Sequence, residues 1–260
     1  MRIHVTGARG FIGSQLCPVL SAAGHELRTS SADCDAVVHL ANIAHRSASA
    51  AELHRVNVVG TIAQARAARA AGVRRFVYLS SIMAARSDDA YGRAKLEAEQ
   101  ALAEIAGLEV VILRPPLVYG PRVKGNFRAL MSAISRGWPL PLGAIENRRS
   151  LVYVGNLCDA VVHCLQAARA AGRVYAVSDG AAVSTPQLCR ALGAALGRPA
   201  RLFPFPVPLL ELAGGGRAKR LTRSFEVEDS AIRSELGWRP KYTFEEGLRV
   251  TADQYAAQAR

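Results

Sequence analysis

Tyr91 and Lys95 lie four apart in Tyr91-Gly92-Arg93-Ala94-Lys95, and this pair carries the most legible chemistry in the chain. On a helix, a spacing of four puts a phenol and an ammonium on one face. An ammonium beside a phenol favours phenolate, so Tyr91 is expected to titrate below the usual value of about 10. A phenol tuned that way is a general acid and base for a hydroxyl or a carbonyl. The Y-x-x-x-K pattern is common by chance, so it needs a companion signal.

That signal is the turn Thr6-Gly7-Ala8-Arg9-Gly10-Phe11-Ile12-Gly13. A strand before it and a helix after it are the context in which a glycine pattern holds a dinucleotide. Gly7 makes the tight turn, Gly10 lets the backbone approach a pyrophosphate, and Gly13 lets helix and strand pack closely. The helix N-terminus adds partial positive charge for the phosphates. Binding of NAD usually shows an acidic residue at the end of the second strand. This chain has Arg28-Thr29-Ser30-Ser31 there, with Arg9 in the turn. Arg9 with Ser30 or Ser31 suits a 2′-phosphate, so NADP is preferred over NAD.

The elements that must position these groups alternate strand and helix, as a parallel sheet requires. Strands are expected at Ile3–Thr6, Glu26–Thr29, Ala36–Ala41, Arg75–Ser81 and Val110–Leu113. Helices are expected at Gly10–Ala23, Ala48–Ala71 and Tyr91–Ala106, the last two closed by Gly72 and Gly107. Residues 1–116 then form a dinucleotide-binding domain, to which a segment near 145–178 returns. Residues 117–260, richer in Pro and Gly, read mostly as a smaller substrate-binding lobe. Helices are expected there near 126–135, 156–170, 185–196 and 226–236, with a mobile stretch at Ala213–Lys219. Only about a dozen residues separate Gly24 from the third strand, too few for a βαβ unit of roughly 30. The expected fold is therefore an α/β, doubly wound parallel sheet of Rossmann type, shortened by one strand–helix unit. The adenine side of the cofactor site is expected to be open as a result.

Bulk properties narrow the field. The chain has 260 residues, half of them hydrophobic, and a formal net charge of +12. Only four of its 33 basic residues are Lys, they form no run, and aromatic residues do not interleave with them. A nucleic-acid partner is therefore not expected. No apolar run reaches the roughly 18 residues of a membrane span. The sequence opens directly on a strand with no leader, and a cytoplasmic location is expected. Five cysteines without C-x-x-C spacing suit reduced thiols and no metal site.

Taken as a set, the glycine turn, Ser80-Ser81, Tyr91/Lys95, Val56-Asn57-Val58-Val59-Gly60-Thr61 and Arg114-Pro115-Pro116-Leu117-Val118-Tyr119-Gly120-Pro121 resemble the extended short-chain dehydrogenase/reductase family. Within it the chain is similar to the NAD-dependent epimerase/dehydratase group acting on nucleotide sugars. The resemblance implies that Ser81 hydrogen-bonds the substrate oxygen, with Ser80 as the fallback. It makes Tyr91 the acid/base, and Lys95 the cation that tunes Tyr91 and holds the nicotinamide ribose. It places Gly7, Arg9, Gly10, Phe11, Ile12, Gly13, Ser31, Leu40, Ala41, Asn57 and Pro115 along the dinucleotide. It assigns Asn126 and Arg149 to the substrate, Arg149 at its diphosphate. The implied activity is at C4 of a UDP-sugar in bacterial surface-polysaccharide or lipopolysaccharide synthesis. A 4-ketoreductase is preferred, with a 4-epimerase as the alternative. The dehydratase branch is disfavoured, because Ile82-Met83 stand where it has an Asp-Glu pair. A non-catalytic dinucleotide sensor is the alternative of another class. The implied partner is a nucleotide sugar, and a homodimer is admitted.

Overall fold

A computed structural model describes residues 1–44 and 48–258. The first part of the chain runs β1 (Arg2–Thr6), α1 (Gly13–Ala22), β2 (Glu26–Arg28), β3 (Ala36–His39), α2 (Ala50–Leu53), a π-helical turn (His54–Val59), α3 (Gly60–Ala70), β4 (Arg75–Leu79), α4 (Met83–Arg86), α5 (Ala90–Ala103) and β5 (Glu109–Arg114). It continues through β6 (Leu117–Tyr119), α6 (Gly125–Ser135), β7 (Leu151–Tyr153), α7 (Val154–Gln166), β8 (Val174–Ala176), α8 (Thr185–Ala195), α9 (Val207–Thr222), α10 (Ser230–Leu236) and α11 (Phe244–Gln258). The chain divides into two compact units. One holds 1–116, 154–177 and 228–241; the other holds 117–153, 178–227 and 242–260.

The first unit is built on a six-stranded sheet in the order β2-β1-β3-β4-β5-β8. Every strand pair in it is parallel. Parallel sheets bury both faces, so their central strands are continuous apolar runs. All residues of β3 and β4 are buried accordingly. The link from β2 to β3 contains no helix, and β2, exposed at each residue, forms the sheet edge. This is the Rossmann-type sheet short of one strand–helix unit that the sequence implies.

Several boundaries differ from the sequence reading. The first helix begins at Gly13, not Gly10, because residues 7–12 form the turn. The single helix expected over Ala48–Ala71 is α2, a π turn and α3. The residues just before it, 45–47, lie outside the described ones. The stretch Ala213–Lys219, expected to be mobile, belongs to α9, which is kinked at Gly215. The strands β6 and β7 are not foreseen; at three residues each they are too short to show a period.

In the second unit β6 pairs in parallel with β7. Asp179 ties this small sheet together: it accepts from the Tyr119 hydroxyl and the Tyr153 backbone N–H, both at 2.9 Å. Gly247 of α11 packs so near that a Cβ there would stand 2.7 Å from the Tyr119 hydroxyl. All five cysteines are free. Among the described residues no helix is long and apolar enough to cross a membrane.

The returning segment of the first unit is pinned by Trp238. Its ring is fully buried, and Nε1 donates to Asp159 Oδ2 of α7 at 2.9 Å. Trp238→Phe removes that donor and leaves a cavity edge, and should cost about 1–3 kcal/mol. A fall in the urea midpoint with an unchanged slope is the expected result; an unchanged midpoint would mean that the segment is held by other contacts.

Candidate active site

The glycine turn is shaped by close approach. Gly7 has φ 72°, a left-handed conformation, and a Cβ there would stand 2.9 Å from the Ala41 backbone nitrogen. Gly7 therefore lies against the end of β3, at Leu40 and Ala41. A Cβ on Gly13 would fall 2.3 Å from the Gly7 carbonyl oxygen and 2.7 Å from the Ala8 backbone. At Gly10 the same added atom meets only the Gly7 oxygen, at 3.1 Å. The turn is closed by the Gly10 N–H donating to the Gly7 carbonyl at 2.9 Å. Arg9 and Gly10 are exposed, and Phe11, Ile12 and Ser31 partly so. This open backbone face before a helix N-terminus fits a dinucleotide pyrophosphate.

Behind the turn runs a directional hydrogen-bond chain. Thr6 Oγ1 accepts from the N–H groups of Leu40 and Ala41, at 3.2 and 3.3 Å. It also meets His39 Nδ1 at 2.8 Å, and His39 Nε2 meets Thr61 Oγ1 at 3.1 Å. The Thr61 hydroxyl proton is committed to the Asn57 carbonyl at 2.8 Å. Thr61 must then accept from His39, so Nε2 carries the imidazole proton and Nδ1 accepts from Thr6. Burial, with the positive charges of Lys95 and His4, brings His39 down to about 3, so the ring stays neutral. Asn57, fully buried in the π turn, donates to the Ile43 carbonyl at 3.0 Å and accepts its N–H at 2.8 Å. Asn57, expected along the dinucleotide, thus ties the π turn to Ile43.

Helix α5 presents Tyr91 and Lys95. Asp89 caps it, its side chain accepting the Gly92 N–H at 2.7 Å. Gly92 admits α4: a Cβ there would stand 2.5 Å from the Met83 carbonyl oxygen. That close packing brings the Ser81–Met83 segment to Tyr91. The Ser81 hydroxyl accepts from the Met83 N–H at 3.2 Å and lies near enough to the Tyr91 phenol to favour its phenolate. Ser80 is not available as the fallback, because its hydroxyl is bonded to the buried Glu99 carboxylate. Glu99 is also the partner of Arg114, which donates from Nε at 3.0 and 3.1 Å and from its terminal nitrogen. The Pro115 carbonyl accepts the Ile82 N–H at 3.1 Å, extending β4–β5 pairing to the site.

The tuning of Tyr91 is opposite to the expectation. Burial pushes the phenol up to about 12, outweighing the lowering influence of the nearby Ser81 hydroxyl. Lys95 does not donate to Tyr91. Its Nζ is fully buried, donates to the Leu79 carbonyl at 2.8 Å, and stands 4.6 Å above the Tyr78 ring centre. Its distance to the Tyr91 ring centre is 6.0 Å. Burial lowers Lys95 to about 7, partly offset by Glu99 one turn away. Glu99, His39 and Thr6 are the members of this frame that the sequence reading missed. Glu99 was legible as the residue four beyond Lys95, and His39 as the polar residue in an apolar strand.

Asn126 and Arg149 belong to the second unit. Asn126 is exposed in the first turn of α6; it is not the N-cap, which is Lys124. Arg149 is half-buried, its backbone bridged to Val183 and Phe225, and burial lowers its pKa.

Two outcomes follow from this geometry. Gly13→Ala forces turn and helix apart, and overpacking of that kind costs about 1–3 kcal/mol. NAD(P)H titrated by fluorescence should bind roughly tenfold more weakly or worse; equal affinity would separate the turn from the cofactor. Lys95 is 10.5 when unperturbed and about 7 in the fold. The folded chain therefore holds fewer protons than the unfolded chain between those values, and stability rises with pH across them. Lys95→Met should lose that rise, so wild type gains on the variant in urea midpoints between pH 7 and 10.5. Parallel curves would place the ammonium in water.

The sequence and fold match known proteins consistently. The model of the NAD dependent epimerase/dehydratase family matches residues 28–178, which hold Ser81, Tyr91, Lys95 and Arg149. A UDP-glucose 4-epimerase of Vibrio cholerae is 36% identical over 312 aligned positions, covering 97% of this chain and 95% of that one. That alignment is longer than the 260-residue chain, so the relative carries segments that this chain lacks. The structure of a Thermus thermophilus UDP-glucose 4-epimerase with NAD superposes with a TM-score of 0.79 at 25% identity, covering 98% of this chain and 99% of that one. UDP-glucuronic acid 4-epimerase from Bacillus cereus, also with NAD, gives 0.81 at 20% identity over 100% of both chains, a likeness of fold alone. With the family model matched over more than half of the chain and a relative 36% identical over nearly its whole length, the chain belongs to the NAD-dependent epimerase/dehydratase family of short-chain dehydrogenase/reductase enzymes.

Proposed function

We propose that this protein interconverts the C4 configuration of a UDP-sugar as a 4-epimerase. The observation that carries the reading is the Ser81–Tyr91 hydroxyl pair beside a buried Lys95. The 36% identical relative named for this activity supports it. A bound dinucleotide supplies hydride acceptance and return at C4. The chain's own part is the proton. The Ser81 hydroxyl hydrogen-bonds the sugar oxygen and orients it to Tyr91, whose phenolate takes the proton on oxidation and whose phenol returns it on reduction. Residues Gly7–Gly13 hold the pyrophosphate, and Asn57, Leu40, Ala41 and Pro115 fix the backbone around it. Arg149 grips the substrate diphosphate through charge-assisted bonds, and Asn126 contributes a polar contact. NADP is the preferred dinucleotide in this reading, because residues 28–31 offer no carboxylate and Arg9 is exposed.

A 4-ketoreductase is the second reading, and the exposed β2 edge favours it. An adenine site open on one side releases its cofactor each turn, as a reductase must. A purely binding role is opposed by the intact Ser81, Tyr91 and Lys95.

Desalted protein given UDP-glucose, with and without added NAD or NADP, should form UDP-galactose. Consumption of NADPH by a UDP-4-keto sugar, with no epimer formed, would select the reductase. Tyr91→Phe should retain cofactor binding and lower turnover by about 10²-fold or more. Turnover near that of wild type in this variant would remove Tyr91 from the mechanism under either reading.

A further inference from the structure

Among the described residues of the second unit, four large apolar side chains are exposed within one stretch and its neighbour. Leu212 is 83% exposed, Trp138 55%, Leu209 53% and Phe203 41%. The segments that carry Trp138 and Phe203 run side by side. The Leu140 N–H donates to the Arg201 carbonyl at 2.8 Å, and the Phe203 N–H to the Leu140 carbonyl at 3.1 Å. Four residues after Phe203, α9 begins, and Leu209 and Leu212 lie in its first half. Gly215, with φ 53°, kinks the helix and separates that apolar half from a basic one. From residue 198 to 223 the chain has six basic residues and a single acidic one, Glu211. Glu211 is taken up by the Thr222 hydroxyl. Arg201, Lys219 and Arg223 are exposed, as is Arg136, whose guanidinium stands 5.3 Å from the Trp138 ring centre.

Soluble surfaces rarely gather large apolar side chains without a partner. Leucine and aromatic groups flanked by Arg and Lys are the composition of a helix lying in a lipid headgroup layer. Arginine and lysine also stay compatible with such a layer, their stems apolar and their heads at the phosphates. A second copy of this chain would bring the same positive charge to the same face. We propose that residues 198–223, which hold α9 and its approach, form with Trp138 a peripheral docking surface for an anionic membrane. The whole-chain charge of +12, which catalysis leaves unused, points the same way. Leu209 and Leu212 enter the acyl boundary, Trp138 and Phe203 sit at headgroup level, and the basic half of α9 meets lipid phosphate. The surface seats the enzyme without spanning the bilayer and includes none of the residues assigned to turnover.

Flotation of the full chain with vesicles tests this. Vesicles of phosphatidylcholine mixed equally with phosphatidylglycerol should carry the protein, and pure phosphatidylcholine should not. Added salt should release it. The pair Leu209→Ser and Leu212→Ser should weaken binding roughly tenfold or more, with turnover and circular dichroism unchanged. Should that pair impair folding, Arg201→Glu with Arg223→Glu serves instead, through charge alone. Absence of binding to the anionic vesicles overturns the proposal, as does binding that neither pair alters. Light scattering that shows a dimer broken by the leucine pair, in protein that ignores vesicles, assigns the face to self-association and also overturns it.

Discussion

Burying an ammonium costs free energy unless dipoles and opposite charge replace its water. Lys95 is such a group, and the first unit is arranged around it. The Leu79 carbonyl and the face of Tyr78 take its near side. Glu99 supplies negative field from the next turn of α5 while bonding Ser80 and Arg114, so β4, β5 and α5 are tied at the same point. On the other side a charged His39 would place a second cation nearby. Burial keeps the ring neutral instead, and its hydrogen bonds to Thr6 and Thr61 fix the tautomer. Thr6 in turn fixes the strand end against which Gly7 packs. Lys95 and the glycine turn are therefore linked through His39, which stacks on the Tyr78 ring beneath Lys95 and bonds Thr6.

That frame explains how the reactive groups are tuned. A phenol raised to about 12 is a competent proton donor at neutral pH and a poor base. Lys95, near 7, sits where a small change in local charge alters its protonation. Charge and hydrogen bonds brought by substrate and cofactor are what shift such a pair toward function.

The sequence shows which residues meet, and is silent on what surrounds them. Tyr91 and Lys95 share a face because helix geometry is local, and the glycine turn is readable because only glycine admits those approaches. The short link after β2 is a matter of counting residues. The direction of the Tyr91 shift escapes the sequence because it depends on burial, which is set by β4, α4 and α5 together. The same holds for Lys95, whose partner is a backbone carbonyl with no trace in the side-chain pattern. That Ser80 is occupied follows from Glu99, a residue whose role emerges only when α5 lies on β4. Asn126 and the brief strands β6 and β7 lie where short elements and irregular connections leave little period to read.

The π turn at His54–Val59 has a consequence for which lengths of chain this protein tolerates. A π turn holds one residue more than an α turn, so the helix after it is rotated by about 100° relative to an unbroken one. Here that phase shift lets Asn57 face Ile43 while Thr61, Ala65 and Ala68 still face the core. Removing one residue to smooth the helix would turn one of these two faces to solvent. A one-residue deletion here is therefore expected to cost more than the helix-free β2–β3 link does at the sheet edge. The chain's tolerance to deletion is set by rotational phase and not by the size of what is lost.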